Sequence, residues 1–285
     1  DLRIRSGRIT YVDPEFLADG VALTIEDIRG GLRRDPPGLP SFAPQPHLID
    51  VQGHADVLGR VRISGTLAPY QDPHTFTATL SHVALDESLS RWLAPRYADA
   101  IRRLSPHGSV ALTVDLFGRT PEDADVEAVL ELRDVGVSVT LPNPRPGDAT
   151  PDYDGRTLDP ILIEHMNGRI ALRGDSASLD GLTAEALGAK LRVDGTLDGV
   201  RGAPGTAALD LRCDVSGLHA SPALADRLPY SVVRVLDAYT LDVMADARVA
   251  VSGRVDAPVV TARADVLSGS ARHRGYVLDE TGRRL

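Results

Sequence analysis

SPALADRLPYSVVRVLDAYTLDVMADARVAVSGRV, residues 221–255, holds a capped start, a short helical pattern interrupted by Pro229, and an alternating strand closing on Ser252-Gly253-Arg254. Residues 86–119, DESLSRWLAPRYADAIRRLSPHGSVALTVDLFGR, read the same way. Leu89 matches Leu224, Leu93 matches Leu228, Gly118 matches Gly253 and Arg119 matches Arg254, each at an offset of 135 (253 − 118). Inside the helical part the register slips by one, so Pro95 falls opposite Pro229. A slip in a surface helix between intact strands is the pattern of a diverged duplication.

Two further echoes extend the repeat. VRISGTL at residues 61–67 and LRVDGTL at 191–197 share the order apolar, Arg, apolar, polar, Gly, Thr, Leu at an offset of 130 (191 − 61). SGRI at residues 6–9 is answered by NGRI at 167–170. Prolines 142, 144, 146, 151 and 160 fall in the polar stretch between the copies, the pattern of a connecting loop. The expected organisation is a first repeat over residues 1–141, a loop over 142–160 and a second repeat over 161–273. Residues 274–285 read as the start of a further strand pair or a truncated end, so the chain is expected to be a piece of a longer protein.

The strands alternate. Phe76, Ala78 and Leu80 are interleaved with threonines, and Val126, Ala128, Leu130 and Leu132 share a face, as do Val260, Ala262, Ala264 and Val266. HLIDVQG and GRVRISG are read as short strands each closed by glycine. One apolar and one charged face per strand indicates an antiparallel sheet with one wet side. Helices are too few and too short to cover the other side, and Pro95 splits the first into two pieces after a cap at Asp86 or Ser88. The expected fold is mainly β: a long antiparallel curved sheet, built from two related repeats, with short broken helices at its rim. A curled sheet of stacked repeats makes a trough, and an apolar trough suits acyl chains. The alternative cover is a second sheet, giving a structural or adhesive sandwich with a closed core and no lipid.

Composition narrows the function. Hydrophobic content of 42% with 25% charged residues is that of a folded chain, and aromatics at 4% leave few interface anchors. A net charge of −9 without a basic run excludes nucleic acid as an expected partner. Cys213 is alone, which removes any disulfide framework, and no apolar run is long enough to span a bilayer.

GRI at residues 7–9 and 168–170, GLTAEALGAKLRVDGTL at 181–197, and the helix followed by VxVSGxV at 249–255 resemble the repeating β-groove region of AsmA-like and TamB-like bacterial envelope proteins. The resemblance runs through both units. It implies a taco-shaped sheet whose concave face carries phospholipid between inner and outer membranes. It also implies a periplasmic, cell-envelope setting, with an inner-membrane anchor supplied by a segment outside this piece. Carried onto this chain, the groove-facing candidates are Val110, Leu112, Val114 and Leu116, then Leu209, Leu211, Val215, Val249 and Val251. The expected partner is phospholipid or another acyl lipid.

Catalytic signatures are few. The chain has no phosphate loop, no nucleophile elbow, and eight histidines scattered without metal spacing. Asp152-Tyr153-Asp154-Gly155 begins like a calcium loop but lacks the closing Glu. No cofactor, metal or enzymatic step is expected.

Overall fold

The computed structural model describes residues 2–14, 16–34, 46–68, 73–119, 124–140, 158–200, 206–220, 224, 227–228 and 239–273. The second helical pattern, over 221–238, and the Asp152–Gly155 motif lie outside the described residues, Leu224, Arg227 and Leu228 excepted.

The chain enters through β1 (Leu2–Ile4) and β2 (Ile9–Tyr11), then β3 (Leu23–Arg34), β4 (His47–Ala55), β5 (Gly59–Leu67) and β6 (His74–Ala84). A 3₁₀ turn (Glu87–Arg91) and α1 (Pro95–Leu104) lead into β7 (His107–Gly118) and β8 (Asp125–Val139). β9 (Ile161–Arg173), β10 (Ser176–Ala186), β11 (Ala189–Asp198) and β12 (Ala208–Ala220) follow. β13 (Tyr239–Arg254) and β14 (Ala257–His273) complete the described part. All belong to one antiparallel sheet in the order β1-β3-β4 and onward consecutively to β14, with β2 paired to β3 beside β1. The sheet is curved and unclosed.

β8 and β9, which flank the proline-rich stretch, are hydrogen-bonded neighbours, so the sheet runs through it without a break. Gly65 and Gly195 hold the same place in the two echoing segments, 61–67 and 191–197. Gly65 in β5 and Gly195 in β11 each lie so close to the next strand that an added Cβ would sit 2.1 Å from Thr75 O or 2.2 Å from Asp210 O. A side chain is excluded there by the backbone of the partner strand, and Gly195 also sits at φ +149°. Residues 6–9 lead into a three-residue strand on the β3 edge, and residues 167–170 are interior to β9. Gly53 does not close a strand either, since β4 continues to Ala55 before its turn.

The helical connection forms as its residues dictate. Asp86 accepts from Ser88 N–H at 2.8 Å and caps the 3₁₀ turn. Pro95 opens α1 at a position where its missing N–H costs nothing. Ser105, at φ 42°, ends it.

Burial is shallow. Among the described residues no large side chain is fully buried, and the chain exposes 18700 Å². A compact chain of 30.4 kDa would expose about 11,800 Å². The deepest cluster, Val83, Val110 and Val135, lies toward the end of the strands where the helical connection joins.

Candidate functional site: an apolar trough across the sheet

Strand register assembles the site. One row of cross-strand partners reads Gly53, Val61, Leu80, Leu112, Leu130, Ile170, Leu179, Gly195, Leu211, Val251, Val260. The row beside it reads Val51, Ile63, Ala78, Val114, Ala128, Leu172, Ala177, Leu197, Leu209, Gly253, Pro258. Neither holds a polar side chain from β4 to β14. Ten interstrand steps make each row about 48 Å long before curvature. One leaflet of bilayer hydrocarbon is about 15 Å deep, so the row is roughly three acyl lengths.

The row between them, on the other face, is polar through much of its length: Gln52, Arg62, Thr79 and Thr113 at one end, Ser178, Thr196, Asp210 and Ser252 at the other. That face carries cross-strand pairs. Arg62 Nε and Nη2 donate to the Asp50 carboxylate at 3.0 and 3.1 Å, Thr77 Oγ1 donates to Asp115 at 2.6 Å, and Arg173 pairs with Glu127 at 3.1 Å. The Arg62 hydrogen bond is the main reason the Asp50 carboxyl titrates below its usual range. Exposed pairs of this kind add little stability but keep the face wet.

All nine sequence candidates fall on the apolar face. Val110 is buried in the Val83 cluster. Leu112, Val114, Leu116, Leu209, Leu211, Val215, Val249 and Val251 are half-buried. Side chains on the flanking strands of the same face supply their partial cover. Among the described residues no second sheet packs over it. Cys213 stands in the same face between Leu211 and Val215, and desolvation, followed by the nearby Asp214 charge, pushes its thiol pKa up.

β-Bulges set where the trough bends, and the sequence reading missed them. Asp27, His82, Asp134, Gly181 and Gly217 have positive φ, and each interrupts the pairing register of its strand. The residue after each bulge in β3, β6, β8 and β10 is buried: Ile28, Val83, Val135 and Leu182. An extra residue re-aims the next side chain and frees a backbone N–H. That N–H finds a side chain on the following strand: Gly181 N to Asp194 Oδ1 at 2.7 Å, Gly217 N to Asp246 Oδ1 at 2.9 Å, Asp134 N to Asn167 Oδ1 at 3.0 Å. Accepting from Gly181 N–H, then from Arg192, holds the Asp194 carboxyl below the usual range.

At the opposite rim, His74, Phe76, Leu116, Gly118, Arg119, Ala124 and Val126 line a hollow of about 310 Å³ continuous with the apolar face. Among the described residues no group of three metal-ligating side chains converges, and no helix is long and apolar enough to cross a membrane. The fold and site together define an open, curved β-sheet with a one-sided apolar trough. No family model, curated protein or solved structure matches the chain.

Proposed function

We propose that the chain holds or conducts phospholipid, or another acyl lipid, along the trough, as a segment of a bacterial envelope protein working between inner and outer membranes. The observation that carries the reading is the pair of apolar rows, unbroken from β4 to β14, with no facing layer among the described residues. The envelope setting rests on the motif resemblance alone. A closed adhesive sandwich needs two packed sheets, and the described strands make one.

The energetics suit passage rather than storage. Burying a methylene contributes about 0.8 kcal/mol, and a one-sided trough shields about half of each. A tail of about twelve methylenes then gains roughly 5 kcal/mol, a dissociation constant on the order of 0.1 mM. Lipid enters such a site and also leaves it.

Native mass spectrometry and lipid extraction of the purified chain test the reading, with bound phospholipid as the expected result. Cys213, the single cysteine, gives a second readout: its alkylation by a water-soluble maleimide is slow, because the raised pKa leaves little thiolate, and added phospholipid slows it further. A chain without extractable lipid whose Cys213 labelling ignores phospholipid would end the proposal.

A further inference from the structure

Among the described residues β14 bonds to β13 alone, so one of its sides is open. The other edge of the sheet is blunted, because β3 is met there by β1 and β2, strands of three residues each. β14 runs for 17 residues and its protections are few. It has no lysine, a proline at its second position (Pro258) and one bulge, where Leu267 is the extra residue. The free N–H and C=O groups of a long edge recruit another strand unless charges, prolines or a covering element prevent it. Val259, Val260, Val266 and Leu267 are 59–66% exposed, whereas the trough residues of β12 are half-buried.

The charges on the wet face of β14 select the neighbour that fits. Arg263 stands directly across from Arg248, and Asp265 across from Asp246. Like charges set opposite each other on paired strands are unfavourable. Toward β12, Arg248 reaches Asp214 at 3.5 Å, and Asp246 accepts from Gly217 N–H at 2.9 Å. Toward the open side, Arg263 pairs with Asp265, two residues along the same strand, at 3.4 Å, and the two side chains are 80% and 59% exposed. A strand bringing Asp opposite Arg263 and Arg opposite Asp265 would offset both like-charge contacts. β14 is itself such a strand. Laid antiparallel on a second copy about a two-fold axis through Ala264, it sets Ala262 against Val266, Arg263 against Asp265 and Ala264 against its own counterpart. An axis through Arg263 or through Asp265 would bring like charges together instead.

We propose that β14 is a self-association edge, through which two copies of the chain join their sheets into one. The row across the joint then reads Arg248 and Arg263 of one copy, followed by Asp265 and Asp246 of the other. Those four side chains sum to zero on each copy, so the joint is neutral. The net charge of −9 on each chain opposes approach, but that repulsion is screened beyond a Debye length of about 8 Å at physiological salt. Pro258 and the Leu267 bulge bound the paired length, so the dimer is weak and concentration-dependent. A two-fold axis normal to the sheet keeps both apolar faces on the same side and makes the two troughs continuous. The pairing itself needs no lipid.

Sedimentation velocity of the purified chain over a rising concentration series is expected to show monomer passing to dimer. Arg263→Asp and Asp265→Arg are each expected to weaken that association on the order of tenfold or more, because both symmetry-related contacts turn repulsive. Neither is expected to lower the urea midpoint of the monomer, since each new side chain faces an opposite charge on β13, Arg248 or Asp246. An equimolar mixture of the two variants is expected to recover the dimer, and so is the double variant Arg263→Asp with Asp265→Arg. Recovery in both assigns the register through Ala264. A chain that stays monomeric throughout the series overturns the proposal. So does a dimer that both single variants leave intact, because the contact then lies elsewhere. Dimerisation by a chain without extractable lipid would sustain this edge while ending the trough reading.

Discussion

Leu17 and Leu93 pair in an isolated antiparallel bridge that ties the loop before β3 to the helical connection after β6. β4 and β5 lie between those strands, so the tie spans three interstrand steps, about 14 Å of rim. Its backbone bonds, from Ala18 N–H and Ala94 N–H, are both 2.9 Å. A two-bond tie between loops opens at lower cost than a sheet ladder. Leu93→Asp is expected to free it: the Ala18 and Ala94 amides then exchange quickly while β9 to β12 keep their protection. Hydrogen exchange read by NMR decides the point, and slow exchange at Ala18 in the variant would mean the strap is held by other contacts.

Two glycines report how closely neighbouring strand backbones approach each other. Gly65→Ala and Gly195→Ala each push a Cβ to within 2.2 Å of a neighbouring carbonyl. Each is expected to cost about 3 kcal/mol or more, because backbone rather than a flexible side chain must move. Gly174, in the β9–β10 turn, has φ +55° and nothing within 4 Å of an added Cβ. Gly174→Ala is expected to cost only about 1–2 kcal/mol, the left-handed penalty alone. Urea midpoints of the three variants rank them, and equal midpoints would remove the close-approach argument.

Strand alternation made the apolar face legible because each strand exposes one side to water and the other to the trough. The reading ran only as far as the phase held. Val126, Ala128, Leu130 and Leu132 keep one phase, and Val135, Val137 and Val139 take the other, because Asp134 supplies the extra residue between them. Phe76, Ala78 and Leu80 give way to Val83 at His82 in the same manner. The signal was present as a phase flip beside an Asp or His, residue types that tolerate positive φ better than most. The bridge between Leu17 and Leu93 left no such trace: it depends on how far β3 and β6 curl toward each other, which no local pattern encodes. The stacking of Phe16 on Tyr97 follows from it, since the two are far apart in sequence and meet only once the strap is closed.

His165 and Asp134 both sit at positive φ on neighbouring strands, with Nδ1 to Oδ1 at 2.7 Å. The hydrogen bond to Asp134, more than its charge or those of Glu185 and Glu164, raises the His165 pKa above 6.5. The folded state therefore holds the proton more tightly than the unfolded chain. That contribution is complete below about 6.5 and is lost as pH rises through the raised folded value. The urea midpoint is expected to fall across that window in the native chain and to change less in Asp134→Asn, which keeps a residue tolerant of positive φ. An NMR titration of His165 checks the cause directly: a pKa unchanged by Asp134→Asn would detach the bulge pair from the pH response.

Val249 and Ala250 are adjacent in β13 and point to opposite faces, Val249 beside Cys213 in the trough and Ala250 beside Arg212 on the wet side. Asp at either position adds the same charge one residue apart, so the comparison isolates the face. Val249→Asp puts a carboxylate into a half-buried apolar row, at an expected cost of about 1–3 kcal/mol, and removes bound lipid. Ala250→Asp meets Arg212 across the strand pair and is expected to shift stability by less than about 0.5 kcal/mol, with lipid retained. Urea melts and native mass spectrometry on the two variants read both quantities. Val249→Asp that keeps its lipid would show that the trough is not where lipid sits, and a loss by Ala250→Asp of equal size would show that the two faces are not distinct.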